Sequence, residues 1–309
     1  MNITPISDKD GFIWMDGEWV PWREANTHIL THSLHYGMGV FEGIRAYNTP
    51  KGTAIFRLQD HTKRLFESAH ILQMPMPYDE QTVNEVQCEV IRKNNLSTGY
   101  IRPLCYLGAE GMGLRAEHLK THIAVAAWHW GAYLGQDNLE NGIKVRTSSY
   151  TRHHVNSTMC KAKATGNYLN SMLALREAVS GGAEEALLLD AQGYIAEGSG
   201  ENIFLVKNNI IYTPELTACL AGITRETIIT LAKELSFEVI ERSMTRDEVY
   251  IADEAFFTGT AAEVTPISEL DGRKIGTGKP GKVTLLLQRL YFDQVQGKRK
   301  EHPEWLTYI

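Results

Sequence analysis

Apolar positions along the chain alternate between short strand-like runs and helix-spaced stripes. "GFIWMDGEWVPW" (11–22) carries two apolar runs around Asp16-Gly17, which predicts a β-hairpin. "GTAIFRL" predicts a strand. Leu65, Ala69 and Leu72 then fall on one helical face behind Asp60, the expected N-cap. A second helix is predicted over 79–94, followed by two β-rich runs, "GYIRPLCYLG" and "HIAVAAWHW". The Gly, Asn and Asp residues of "GAYLGQDNLENG" interrupt the periodicity and mark a boundary. Beyond it come "GIKVRTSSY", a helix ending near Val179 at Ser180-Gly181-Gly182, and the strands "EEALLLD", "YIAEG" and "NIFLVKNNIIYTP", with Asn208-Asn209 as a hairpin turn. Thr224 opens a helix carrying Ile228, Leu231, Ala232 and Leu235. Thr245 and Glu248 form a capping box, and "EAFFTGTAAEV" is a strand running into a turn. The pattern predicts a mixed α/β to α+β chain in two domains: a small one over 1–129, an interdomain loop over 130–140, and a large one over 141–309.

Composition narrows the function classes. At 43% hydrophobic and 22% charged, the 309 residues have a globular make-up. A net charge of −6 offers no basic footprint for nucleic acid. No run approaches the ~18 apolar residues of a membrane span, so no membrane partner is expected. The N-terminus lacks a basic region followed by an apolar stretch, which leads us to expect a cytoplasmic protein. Cys88, Cys105, Cys160 and Cys219 are scattered, without a CxxC pair, and fit reduced thiols.

Several motifs are decoys. "GTGKPGKV" (276–283) nearly spells a phosphate loop, but Val283 stands where the magnesium-binding hydroxyl belongs. "GMGLRAE" lacks the third glycine of a dinucleotide fingerprint. His153-His154 lacks metal-ligand spacing, so no metal is expected. Asn156-Ser157-Thr158 matches a glycosylation sequon only in a secreted chain.

Three segments share a chemistry with "MCKAKATGNYLNS" (159–171), where Lys161 and Lys163 precede a helix. "LAGITRETI" puts Gly222-Ile223-Thr224 at a helix start, either an ordinary Thr N-cap or an anion site made of backbone N–H groups. "TGTAAEV" offers Thr260 among small residues at a strand end, and "AEGSGEN" sets Glu197 and Glu201 around two glycines, as a polar turn or as a held carboxylate. A lysine, a carboxylate and an anion-binding helix start are what pyridoxal 5′-phosphate requires. Spacing alone leaves open which lysine would serve.

The motifs "HYGMGVFEGIRAY" (35–47), "YIRPL" (100–104), "WGAYLG" (130–135), "KATGNYL" (163–169), "EGSGEN" (197–202), "GITR" (222–225) and "GTAAEVTP" (259–266) resemble, in order and over nearly the whole chain, those of the branched-chain amino-acid aminotransferases. These are fold-type IV pyridoxal-phosphate enzymes with the D-amino-acid aminotransferase-like fold. The resemblance implies that Lys163 is the Schiff-base lysine, with Lys161 left as a surface charge. It implies Glu197 at the pyridine nitrogen, Tyr168 beside the phenolic oxygen, and Arg64, Ile223, Thr224 and Thr260 at the phosphate. Gly259, Thr260 and Ala261 would meet the substrate carboxylate. Tyr36, Phe41, Gly43, Arg45, Tyr100, Trp130 and Tyr133 would line the side-chain pocket, with Tyr36 and Leu114 coming from a neighbouring subunit, and Arg102 would meet the distal carboxylate of glutamate. The implied reaction is ping-pong transamination of Leu, Ile or Val with 2-oxoglutarate by a homodimer at least, and by a hexamer built from dimers in bacterial members. The motifs lean away from the D-amino-acid aminotransferases and aminodeoxychorismate lyases that share the fold. Val155 and Met159 stand where many members carry proline, and His129 receives no role.

Overall fold

The computed structural model describes residues 5–115, 118–131 and 135–309. The chain forms two compact units. The first comprises Met1–Trp130, Ala162–Gly166 and Val295–Ile309, and the second Gly131–Lys161 and Asn167–Gln294.

In the first unit β1 (Phe12–Met15), β2 (Glu18–Pro21), α1 (His32–Tyr36), β3 (Gly39–Phe41), β4 (Ile44–Thr49), β5 (Gly52–Phe56), α2 (Leu58–Ile71), α3 (Glu80–Lys93), β6 (Gly99–Leu107) and β7 (Thr121–Trp128) precede a C-terminal strand, Leu306–Tyr308. The sheet is antiparallel, in the order C-terminal strand, β5, β4, β6, β7, β1, β2, with β3 also on β6. Residues of β7 alternate between buried and half-buried, as expected of a strand with one face on a core. That core is built from Val40, Ile44, Ile55, Leu58, Leu65, Ile91, Ile101 and Val125.

The β1–β2 hairpin forms as expected, with Asp16 and Gly17 both at positive φ, 48° and 100°. Asp60 is not the cap of α2. The helix begins two residues earlier because Leu58 is drawn into the core. Arg57 becomes the N-cap at φ 52°, and Asp60 pairs with its Nε at 2.6 Å from the first turn.

His122 bridges Asp16 (2.6 Å) and Glu110 (2.9 Å). Partial burial lowers its pKa, but hydrogen bonds and charge from the two carboxylates outweigh burial and raise it above the ordinary histidine value. A raised folded-state pKa stabilises the fold fully below the unfolded value, near ~6.5. The contribution is lost as pH rises through the folded value. His122→Ala is therefore expected to lower the melting temperature at pH 6 and to change it little at pH 9. An equal drop at both pH values would show that the clamp acts without its charge.

Two stretches expected in the large domain belong to the first unit, Ala162–Gly166 and Val295–Ile309. Ala164 bridges Val40, the Phe41 N–H donates to the Lys163 carbonyl (3.1 Å), and the Gly166 N–H donates to the Gly37 carbonyl (3.0 Å). The C-terminal strand pairs with β5. These are long-range backbone pairings, which hydrophobic periodicity does not encode.

The second unit contains α4 (Gln136–Asn141), β8 (Ile143–Thr147), α5 (Tyr168–Ser180), β9 (Glu185–Leu189), β10 (Ile195–Gly198), β11 (Asn202–Lys207), β12 (Ile210–Thr213), α6 (Ile223–Glu234), β13 (Val239–Glu241), α7 (Arg246–Tyr250), β14 (Glu254–Gly259), β15 (Glu263–Leu270), β16 (Arg273–Lys274) and α8 (Lys282–Val295). Its sheet runs β10, β9, β8, β15, β14, β11, β12, β13, with β16 on β15. Pairing is parallel for β8 with β9 and with β15, and for β12 with β13. The expected loop over 130–140 thus contains most of a short helix, anchored by buried Leu139. The α7 capping box and the Asn208-Asn209 hairpin form as expected. Among the described residues no helix is long and apolar enough to cross a membrane.

The 276–283 segment leads into α8. The Glu254 carboxylate accepts the N–H groups of Val283 (3.1 Å) and Thr284 (2.7 Å), together with the Thr284 hydroxyl. The chain's own carboxylate fills the position a phosphate would take at that helix start.

Candidate active site

In the first unit, β3, β4, β6 and the 162–166 segment bring a group of the expected residues together. Lys163 lies in irregular backbone just before the bridge to Val40. Its N–H donates to Ser68 Oγ at 3.0 Å, and its Nζ stands 4.9 Å from the Phe41 ring centroid. The Arg102 guanidinium covers the same ring at 4.7 Å and the Tyr100 ring at 5.3 Å, and donates to Tyr100 Oη at 3.3 Å. Tyr100 meets Trp130 edge-on with centroids 4.6 Å apart, and Arg45 donates to the Trp130 carbonyl at 3.3 Å. Gly43 is required here, since a Cβ would stand 1.8 Å from Tyr100 Oη. One wall therefore combines aromatic faces, a guanidinium and an amine.

Beside it lies a buried ionic group. Glu42, the residue between Phe41 and Gly43, is completely enclosed. Arg64 on α2 grips its carboxylate with Nε on Oε1 (2.6 Å) and Nη2 on Oε2 (2.9 Å). His61, one turn earlier, bonds Oε2 through Nδ1 at 2.7 Å. Burial pushes the Glu42 carboxyl up, but the Arg64 guanidinium, helped by His61, outweighs it and holds the group well below the usual carboxylate range. Burial dominates for His61 and, with Arg64 and Lys163 nearby, lowers its pKa despite Glu42. His61 is therefore a neutral donor to Glu42, and Arg64 is the ionic partner.

Of the remaining expected residues of this unit, Tyr36 and Leu114 are exposed, at 42% and 87%. His32 joins their two segments, its ring tilted against that of Tyr36 with centroids 4.4 Å apart and its Nε2 2.9 Å from the Gly113 carbonyl oxygen. Tyr133 lies outside the described residues. His129 faces solvent with Nδ1 3.2 Å from Thr98 Oγ1, and no chemistry follows from it.

In the second unit, β10 carries Glu197, which is 4% exposed. Arg152 Nη2 stands 2.7 Å from Oε1, an ion pair whose angle is not that of a hydrogen bond, and the Leu220 N–H donates to Oε2 at 3.2 Å. Arg152 is fixed in turn through Ser171 Oγ (3.2 Å). The bend after Glu197 rests on two further acids. Glu201 Oε2 accepts the Gly200 N–H (2.9 Å), and Glu185 Oε1 accepts from Ala186 (2.6 Å) and Ser199 (3.3 Å). Burial raises the Glu185 pKa.

Residues 220–222 lead into α6. Gly222, not Thr224, is the N-cap, and no side chain caps the first turn. A Cβ at Gly222 would stand 1.9 Å from Asn202 Oδ1, so a capping side chain has no room. Thr224 is the second helical residue and is buried. An uncapped N-terminus of a twelve-residue helix is an anion-binding geometry. Thr260 and Ala261 occupy the turn between β14 and β15, next to Gly259, and Tyr168 opens α5 half-buried.

Lys161 is more than a surface charge. Although its stem is exposed, Nζ donates to the Leu216 and Cys219 carbonyls, the latter at 3.1 Å, and straps the loop leading to Leu220. Met159 has φ 62°, which proline cannot adopt, so the backbone before Lys161 differs in kind from a proline-bearing one. Burial, with Arg152 adjacent, lowers the His153 pKa to about 4, and burial raises the Cys105 and Cys219 thiols to about 12.

Residues 39–270 match the family model described as amino-transferase class IV. The chain belongs to that family. It is 64% identical to a branched-chain-amino-acid aminotransferase of Pseudomonas aeruginosa over 98% of this chain and 99% of that protein. Its fold superposes with TM-score 0.94 on a branched-chain amino acid aminotransferase of T.th. bearing pyridoxamine 5′-phosphate, at 50% identity over 97% of this chain and 99% of that one. The agreement with that protein's complex with N-(5′-phosphopyridoxyl)-L-glutamate is the same, TM-score 0.94 and 50% identity. The two-sheet α/β fold is thus that of the fold-type IV enzymes, and the cofactor of this family is pyridoxal 5′-phosphate. The residues of this chain suit it, supplying an amine, a guanidinium, an uncapped helix start and a buried carboxylate paired with arginine.

Sequence reading passed over Glu42, His61 and Arg152. The signals were a lone carboxylate inside the apolar "GVFEGI", a His and an Arg three apart on α2, and an Arg in the loop between β8 and the lysine segment.

Proposed function

We propose that the protein transfers the amino group of leucine, isoleucine or valine to 2-oxoglutarate, giving the branched 2-oxo acid and L-glutamate, in branched-chain amino-acid metabolism. The observation that carries this reading is the wall on which Arg102 lies over Phe41 and Tyr100, with Trp130 edge-on to Tyr100. Aromatic faces favour an aliphatic side chain by burial, worth about 1.5–3 kcal/mol. One guanidinium suits the longer chain of glutamate, which ends in a carboxylate. A surface of both kinds serves both halves of a ping-pong exchange. The relative's printed name and the phosphopyridoxyl-glutamate complex support the two substrate classes.

Pyridoxal phosphate, when bound, supplies the electron-accepting ring that makes loss of the substrate Cα proton feasible. Lys163 Nζ would be its covalent anchor and, as a free amine, would carry the proton between the substrate Cα and the cofactor's C4′, as base and then acid. Glu197, held by Arg152 and the Leu220 N–H, keeps a proton on the ring nitrogen. Tyr168 accompanies the phenolic oxygen. Arg64, Ile223, Thr224 and Thr260 bind the phosphate. The backbone of Gly259, Thr260 and Ala261 receives the substrate carboxylate. Gly43, Arg45 and Tyr133 complete the pocket, and Tyr36 and Leu114 act in a neighbouring subunit of a homodimer, itself a unit of larger assemblies. Four free cysteines fit a cytoplasmic setting.

The test is initial-rate kinetics with L-leucine and 2-oxoglutarate. Parallel double-reciprocal lines with L-glutamate as product are expected, and intersecting lines would contradict the exchange. Arg102→Ala should raise KM for 2-oxoglutarate by at least about 30-fold, the worth of a charge-assisted pair, and KM for L-leucine by under about threefold. Equal changes would remove the assignment of Arg102.

A further inference from the structure

Glu42 is gripped by Arg64 at two points and by His61 and the Gly43 N–H (3.2 Å) at Oε2, with no part exposed. A buried ion pair adds little stability over apolar residues of the same volume, so the consequence of this one is geometric. Arginine carries five N–H donors on a long flexible stem. Glu42 uses Nε and one N–H of Nη2, which fixes the guanidinium plane and directs the Nη1 edge elsewhere. We infer that Glu42, steered by His61, is a positioning residue that presets Arg64 for the cofactor phosphate. The inference rests on the reading of Arg64 given above.

Charge and orientation act oppositely here, which decides the choice of variant. Removing the carboxylate charge also removes a repulsion toward the phosphate, and by Coulomb's law that alone tightens binding. Glu42→Asp keeps the charge and withdraws one methylene of reach, so the carboxylate cannot hold Arg64 at two points and His61 at once. The readout is the affinity of the apo protein for pyridoxal phosphate and for pyridoxal, which lacks the phosphate, followed by the visible absorption band.

Glu42→Asp is expected to weaken pyridoxal phosphate about tenfold, the scale for losing a partner that orients a ligand-binding group, and to leave pyridoxal within about twofold. His61→Phe, which keeps a ring and removes the Nδ1–H, should act in the same direction with a smaller loss. Arg64→Ala should lose most of the preference for the phosphorylated form, the remainder resting on the uncapped start of α6 and Thr260. If Arg64→Ala loses that preference while Glu42→Asp and His61→Phe keep it, the inference is overturned and the reading of Arg64 stands. Equal weakening of both ligands by Glu42→Asp overturns it too, since Glu42 would then be a general support. If Arg64→Ala keeps the preference, the reading of Arg64 fails and takes the inference with it.

Discussion

Lys163→Ala is expected to abolish transamination, lowering kcat by at least about 10³-fold, while the protein folds as before. The two halves of this prediction rest on different atoms. Folding uses the Lys163 backbone, whose N–H meets Ser68 Oγ and whose carbonyl accepts from Phe41. Alanine keeps both bonds. The side chain contributes its contact with the Phe41 ring, which is worth roughly 0.5–1 kcal/mol at a partly exposed site. Activity uses Nζ itself, as anchor and as the base at Cα, and no other amine stands on the Phe41 wall among the described residues. Lys161 is no substitute, because its Nζ is committed to the Leu216 and Cys219 carbonyls. Single-turnover kinetics beside a thermal melt test both halves. Turnover near the wild-type rate would remove Lys163 from the chemistry.

The second large effect is expected of Glu197→Gln, which should lose both activity and stability. The amide cannot hold a proton on the ring nitrogen as a carboxylate can, and kcat should fall by about 10²–10³, the usual scale for removing one preorganised electrostatic group. The variant also strands Arg152, which is only 7% exposed. Leaving one member of a buried pair without its counter-ion costs about 3–5 kcal/mol. Glu197→Asp separates the two effects, since it keeps the charge for Arg152 and shortens the reach toward the ring. Stability should return with Asp more fully than activity does. A Glu197→Gln protein within twofold of the wild-type kcat would contradict the role of the carboxylate.

The parts of the fold legible in the sequence were those that local pattern controls. The Asp16-Gly17 hairpin, the α7 capping box, and α2 and α3 with their apolar stripes follow from turn chemistry and helical period. Local pattern failed where a through-space contact decides. Leu58 entering the core moved the start of α2 away from Asp60, and backbone bonds to Gly37 and Phe41 carried 162–166 into the first unit. The same holds for the candidate site. Lys163 and Glu197 stand in motifs that family resemblance identifies. Glu42, His61 and Arg152 act by pairing with residues distant in sequence, 42 with 64 and 152 with 197, and nothing in their own neighbourhoods announces those partners. Lys161 shows the converse: the resemblance leaves it as a surface charge, yet its tip meets two carbonyls 55 and 58 residues on.

The most direct measurement is the visible absorption spectrum of the purified protein before and after addition of L-leucine. A band near ~410–430 nm that gives way to one near ~330 nm is expected, as the family's cofactor passes from its lysine-bound to its amine form. Absence of any visible band after incubation with pyridoxal phosphate would contradict Lys163 as the anchor. A stable band that ignores L-leucine and responds to D-alanine would contradict the proposed substrate while leaving the fold and the cofactor in place.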